Sequence, residues 1–198
     1  MPKRTFSKEE KEQLKITMLE AGFPLIKEYG MTHTTVSKVT DSAGIAKGTF
    51  YHFWKDKEHY MVDLIAYHRK KMIPKLVNQD VMTGKKKLGR KEAAAYFHMI
   101  VDPEISIYPH MTLEDEAKLI NNTNAFIPDT EKESSIVGGL LNHLENVREN
   151  PDLLLIANMS IVLVITAESK QELHEKVYQK TIDTLIESIL NLIFEQED

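Results

Sequence analysis

The sequence predicts an all-α protein with a helix-turn-helix near its N-terminus, and three observations carry that expectation. Apolar residues recur at helical spacing along nearly the whole chain. Strand-like alternation is scarce, and there is no internal repeat. Capping residues and glycines stand where helical runs begin and end, as at Ser7, Gly30, Gly44 and Asp56. A chain of 198 residues is long enough for one or two domains with a real core.

The first helix is predicted to start at Ser7, with Glu10 completing a capping box. Leu14, Met18, Leu19 and Phe23, with Leu25 and Ile26 further on, form its apolar stripe, and Gly30 ends it. Pro24 lies inside this span and lacks a donor amide, so a kink is expected there. A short second helix over 35–42 stops at Gly44, and a third covers 46–53. Asp56 then caps a longer helix carrying Tyr60, Met61, Leu64, Ile65, His68 and Met72. Lys85, Lys86, Lys87, Gly89 and Arg90 read as a solvated basic loop, and 91–101 as the next helix. Three prolines make 102–128 the least regular stretch. Helices follow over 130–149, where Gly138 and Gly139 permit close packing, then over 151–169 and 171–194.

Composition narrows the function classes. The absence of cysteine excludes disulfides and thiolate metal sites and fits a reducing cytoplasm, the expected location. Residues 1–5 run into a charged stretch that does not read as a secretion signal. The apolar run 153–167 is interrupted by Asn158, Ser160 and Thr166 and reads as a buried helix, so no membrane is expected as a partner. The chain carries a net charge of −5, unevenly spread: residues 1–57 are +3 and the remaining 141 are −8. A basic end on an acidic body is what phosphate contact requires.

The third helix carries the functional reading. At about 100° per residue, Phe50, Phe53 and Trp54 fall on one side and Tyr51, Gly48 and His52 on the other. Lys47 sits at its start. An outward face made of a cation, a bare backbone, a phenol and an imidazole is suited to DNA. Lys47 can neutralise a phosphate, Gly48 lets the backbone approach a groove, and Tyr51 and His52 can bond phosphates or base edges. Thr49 can do the same from the flank, with a methyl for a thymine methyl. Thr34 or Thr35 caps the second helix and leaves free amides where a phosphate can bind. Lys57, in the first turn of the fourth helix, opposes the macrodipole there, a mismatch that a bound phosphate relieves.

At these residues the chain resembles the TetR (TetR/AcrR-like) family of bacterial regulators. The likeness rests on LEAGFPLIKEYGMTHTTVSKVTDSAGIAKGTFYHFWKDKE, residues 19–58. Two departures stand out. Phe53 occupies a place where the family commonly has a phosphate-donating His, and Thr40 one where a small apolar residue is usual. The resemblance implies about nine helices: a helix-turn-helix DNA-binding domain over 1–55, and an effector-binding and dimerisation domain over 56–198. It implies Thr34, Thr35, Lys47, Gly48, Tyr51, His52 and Lys57 as DNA-facing positions. It also implies a homodimer through 151–169 and 171–194, on an operator with inverted half-sites, and an unidentified small-molecule effector. Repression relieved by that effector is the expected mode. Phe97, His98 and His143 are the effector contacts expected among the aromatic, His, Met and Asn residues of the middle of the chain.

Other classes find little support. His59 and Asp63 share a helix face, but two ligands make no metal site, and a solvated pair is the expected reading. No nucleophile elbow, P-loop or dinucleotide fingerprint is present, so neither catalysis nor a cofactor is expected. The alternatives are an activator or co-regulator acting with a partner, and a small-molecule-binding helical protein with a vestigial helix-turn-helix. The exposed face of the third helix argues against the second.

Overall fold

The computed structural model describes residues 7–195 apart from 76, 78, 126 and 128. The described residues form ten α-helices: α1 (Lys8–His33), α2 (Val36–Ala43), α3 (Lys47–Phe50), α4 (Lys57–Met72), α5 (Gln79–Met82), α6 (Arg90–Val101), α7 (Leu113–Thr123), α8 (Thr130–Leu141), α9 (Leu153–Glu168) and α10 (Glu175–Ile193). Short 3-10 turns lie at Ile73–Lys75, Tyr108–His110 and Lys170–Glu172. The only extended pairing among the described residues is two isolated bridges, Leu88 with Leu144 and Val147 with Phe194. The all-α class stands. The chain groups into two compact units, Met1–His68 with Glu114–Ala125, and Arg69–Leu113 with Phe126–Asp198.

The N-terminal unit follows its local signals closely. Ser7 accepts from the Glu10 amide, and Glu10 reaches back to the Ser7 amide at 2.8 Å, closing the capping box. Helical backbone runs through Pro24 and breaks at Gly30, where φ is +73°, a value glycine adopts without steric cost. Gly22 is needed for a different reason. A Cβ there would lie 2.2 Å from the Tyr60 hydroxyl and 2.5 Å from a Leu64 methyl, so α1 and α4 meet over a missing side chain. The core beneath holds Met18, Ile26, Val39, Phe50, Trp54, Met61 and Leu64, all buried.

In the C-terminal unit, helices α6, α8, α9 and α10 enclose one apolar cluster. Phe97, Ile156, Leu163, Ile182, Ile186, Ile189 and Leu190 are at its centre. Asp152 caps α9 by accepting from the Leu155 amide at 3.0 Å. Burial of this size supplies most of the unit's driving force, because apolar area leaving water stabilises by about 25 cal/mol per Å².

Four boundaries differ from the sequence reading. Helix α3 ends at Phe50, not 53: beyond it the amides of His52 and Phe53 bond the carbonyls of Thr49 and Phe50, a tighter three-residue step. Helix α7 occupies a stretch read as irregular, because prolines at 103, 109 and 128 bracket it rather than interrupt it. Helix α8 stops at Leu141, and α10 starts at Glu175. The glycine pair in α8 does not mark a close approach: a Cβ at Gly138 would meet Leu153 at an ordinary 3.7 Å, and one at Gly139 meets nothing within 4 Å.

Candidate nucleic-acid interface

Three rings fix the orientation of α3. Phe50 is fully buried and Trp54 is 4% exposed. Their ring centroids are 5.1 Å apart, and the Tyr60 ring of α4 lies 5.4 Å from Phe50 and 4.9 Å from Trp54. Polar groups at the edges of this cluster prevent it from sliding. The Tyr60 hydroxyl donates to the Met18 carbonyl of α1 at 2.8 Å, and burial pushes its phenol far above the usual range. The Trp54 indole donates to Asp63 at 2.9 Å, and Lys15 reaches the same carboxylate oxygen at 2.8 Å. Partial burial works against the ionised Asp63, but these two partners outweigh it and hold the carboxyl below its usual range.

With Phe50 and Trp54 pinned inward, the opposite residues point out. Lys47, Gly48, Tyr51 and His52 are exposed, Tyr51 by 52%, while Thr49 and Phe53 are half-buried. Tyr51 stands edge-on to Phe50 at 5.4 Å, which stiffens its ring without covering its hydroxyl. No Cβ within reach obstructs Gly48.

The two threonines divide their tasks. Thr35 is the N-cap of α2, exposed, accepting from the Lys38 amide at 3.2 Å. Thr34 is fully buried, and its hydroxyl donates to the Gly30 carbonyl at 2.8 Å. The Thr34 side chain therefore closes the turn after α1 and does not face outward. Lys57 is also turned inward. Its ammonium donates to the carbonyls of Met31 and Thr32 at 3.1 and 3.0 Å, and loss of solvent lowers its pKa. Carbonyls at the end of α1 thus fill the role that a phosphate had in the sequence reading.

One residue of this frame was missed from the sequence. Asp115 of α7 is 4% exposed and accepts from the Thr32 hydroxyl at 2.7 Å. The Thr112-Leu-Glu-Asp115 pattern, a helix-start signature, could have revealed α7, but nothing local ties it to Thr32.

The residues proposed for effector contact lie in unlike settings. Phe97 belongs to the C-terminal core, edge-on to Tyr96 at 5.7 Å. His98 is exposed, 3.9 Å from Asp183. His143 is half-buried, and its carbonyl accepts from the Leu88 amide at 2.9 Å. His59 and Asp63 turn to separate partners, His59 to Asp56 at 2.6 Å and Asp63 to Lys15 and Trp54. Among the described residues no group of three or more His, Cys, Asp or Glu could hold a metal, and no helix is long and apolar enough to cross a membrane.

Residues 18–60, from the middle of α1 to the first turn of α4, match the family described as bacterial regulatory proteins, tetR family. Three solved structures share the fold over nearly the whole chain. A transcriptional regulator from Cytophaga hutchinsonii ATCC 33406 has a TM-score of 0.59 at 14% identity, covering 92% of this chain and 99% of its own. A TetR transcriptional regulator from Rhodococcus sp. RHA1 has a TM-score of 0.56 at 18% identity, covering 92% and 97%. NalD, the secondary repressor of the MexAB-OprM multidrug efflux pump in Pseudomonas aeruginosa, has a TM-score of 0.50 at 12% identity, covering 94% and 100%. No curated protein matches the chain. With an exposed Lys47–Gly48–Tyr51–His52 surface on a pinned helix-turn-helix and this match over the same residues, the N-terminal part of the chain is similar to the tetR family of bacterial regulatory proteins, and the likeness to the solved structures extends the shared fold over the rest.

Proposed function

We propose that this chain is a homodimeric, ligand-responsive repressor of the cytoplasm, reading an inverted-repeat operator through residues 1–55 and a small-molecule effector through 56–198. The observation that carries the reading is the outward set on α3: Lys47, Gly48, Tyr51 and His52 exposed opposite a fully buried Phe50. Thr35 and the free amides of α2 add a phosphate site, and Thr49 contributes from the flank. Thr34 and Lys57 join the interface as its frame, since both bond the backbone at the end of α1.

The dimer is assigned to 151–169 and 171–194. Helix α9 leaves Leu154, Leu155, Ile161 and Val162 about 40% exposed. On α10, the hydroxyls of Thr181, Thr184 and Ser188 bond carbonyls one turn back at 2.7 to 3.0 Å. Their polarity is spent within the helix, which leaves a small, smooth face suited to close packing. Two-fold symmetry then matches two half-sites about one helical turn apart. Repression draws support from the name of NalD, whose fold is similar. Release follows if the effector favours a state whose recognition helices no longer match successive major grooves. Of the effector contacts, Phe97 offers an apolar wall, and His98 and His143 the polar groups.

Duplexes selected from a random pool, then titrated across a salt series, test this reading. Specific binding should weaken steeply with salt. Lys47→Ala should weaken binding to every duplex, and Tyr51→Ala should weaken the selected one more than tenfold. Failure to enrich any duplex at low salt would sink the proposal.

A further inference from the structure

The strongest charge concentration in the chain is not on the helix-turn-helix. Residues 69–91 contain nine Lys or Arg and one Asp, a net charge of +8 in a protein whose total is −5. Residues 92–198 carry −14. The basic stretch lies wholly within the C-terminal unit. It is displayed rather than neutralised. Arg69, Lys70, Lys71, Lys75 and Lys91 are exposed, as are all three lysines 85–87. Arg90 pairs with Glu187 at 2.6 Å, but among the described residues no ion pair involves Lys70, Lys75, Lys91 or residues 85–87.

The loop that holds the lysines is anchored. Gly84 takes a φ of +72°, the Lys86 amide donates to the Asp80 carbonyl at 3.1 Å, and Leu88 is buried and paired with the 143–145 segment. Three adjacent ammonium groups are thus held out on a fixed turn, where their mutual repulsion is unfavourable until a polyanion arrives.

We propose that residues 69–91 form a second, sequence-indifferent surface for duplex DNA. Lysine supplies point charges for phosphates without the planar fork that reads guanine, so backbone contact is what this composition fits. A lipid surface fits less well. It calls for an amphipathic helix with a leucine or aromatic face, whereas α5 has four residues and, among the described residues of the stretch, the exposed large apolar side chain is Met82. The surface is also distinct from the operator contacts. Duplex DNA of any sequence supplies the phosphates.

The test uses the full chain and a random-sequence duplex, so it stands whether or not an operator is found. Fluorescence anisotropy is measured across salt for the unaltered chain, for Lys47→Ala with Tyr51→Ala, and for Lys85→Gln, Lys86→Gln and Lys87→Gln together. The recognition-helix variant, which removes one phosphate contact at Lys47, is expected to bind the random duplex more weakly than the unaltered chain but more tightly than the triple variant does. The triple variant should bind the random duplex at least tenfold more weakly at low salt. If all three lysines meet phosphates, its loss of affinity between about 50 and 200 mM salt shrinks roughly fortyfold. Unchanged affinity and salt dependence in the triple variant overturn the proposal, as does random-duplex binding that vanishes with Lys47 and Tyr51. Phosphatidylglycerol vesicles form the other arm. Capture by vesicles that the triple variant loses, with duplex binding unaffected, overturns the proposal in favour of a lipid surface.

Discussion

The two units of this chain are held together by different means. In the N-terminal unit each turn is fixed by a polar bond: Ser7 with Glu10, Thr34 to Gly30, Lys57 to Met31 and Thr32, Trp54 to Asp63, Tyr60 to Met18. In the C-terminal unit a cluster of Ile and Leu from α9 and α10 dominates, with polar ties such as Arg90 to Glu187 and Asn191 at its surface. Hydrogen bonds are directional, while apolar contact is not. The first method suits a helix proposed to meet a duplex at one angle. The second suits a body proposed to accept a partner copy and a small molecule. What each unit exposes fits the same division: Lys47, Tyr51 and His52 on one, Leu154, Leu155, Ile161 and Val162 on the other.

The largest effect that can break this contrast is expected from Phe50→Ala. Phe50 is fully buried among Trp54 and Tyr60, so its removal should cost about 3–5 kcal/mol and abolish duplex binding. Ile186→Ala in the other core should cost about 2–5 kcal/mol. Chemical denaturation followed separately by Trp54 fluorescence and by far-UV circular dichroism compares the two. If the units are held independently, Phe50→Ala shifts the fluorescence transition and leaves the later part of the dichroism transition in place. A single transition displaced by both variants would mean that the division of labour stops short of stability.

Next in size is the apolar face of α9. Leu155→Glu with Ile161→Glu places two charges on residues already about 40% exposed, so the fold of one protomer should tolerate them. A dimer packed on this face should not, because desolvating the unpaired carboxylates costs more than the lost apolar contact. Sedimentation should show a monomer with unchanged helical content, and affinity for a two-half-site duplex should fall about a hundredfold, since the second half-site no longer binds intramolecularly. A variant that still sediments as a dimer places the interface elsewhere.

A smaller effect is expected at the polar clamp. Thr32→Val keeps shape and removes the donor to buried Asp115, a loss of about 1–3 kcal/mol. If the clamp sets the angle of the helix-turn-helix, affinity for a selected duplex should fall about tenfold at a temperature where the variant remains folded. Stability lost without any change in affinity would make the bond merely structural.

That clamp also marks the limit of what could be read beforehand. The all-α class, the capping box at Ser7, the stop at Gly30, the cap at Thr35 and the inward Phe50–Trp54 face each depend on residues within one or two turns, and all were legible. The misreadings share a long-range cause. Thr34 looks like a cap until its burial against Gly30 is seen. Lys57 looks like a mismatched cation until carbonyls 25 and 26 residues away take its protons. Asp115 reaches Thr32 across 83 residues, a pairing no local pattern encodes. Helix α3 ends early because the chain must turn within six residues to start α4, and helical periodicity does not register that demand.

The smallest expected effect gives the sharpest comparison, because it sets two glycines against each other. Gly48 and Gly139 both sit in helices, both are exposed, and a Cβ on either meets nothing within 4 Å. Replacing each by alanine should raise stability by about 0.5–1 kcal/mol, because alanine loses less backbone freedom in a helix. On stability alone the two variants should be indistinguishable. They should part on DNA. Gly139→Ala, in the C-terminal unit, is expected to leave duplex affinity unchanged. At Gly48 the added methyl occupies the space through which the backbone approaches the groove, and affinity should fall even as the protein becomes more stable. If Gly48→Ala gains stability and keeps its affinity, Gly48 is no part of the contact. The reading of α3 then rests on Lys47, Tyr51 and His52 alone.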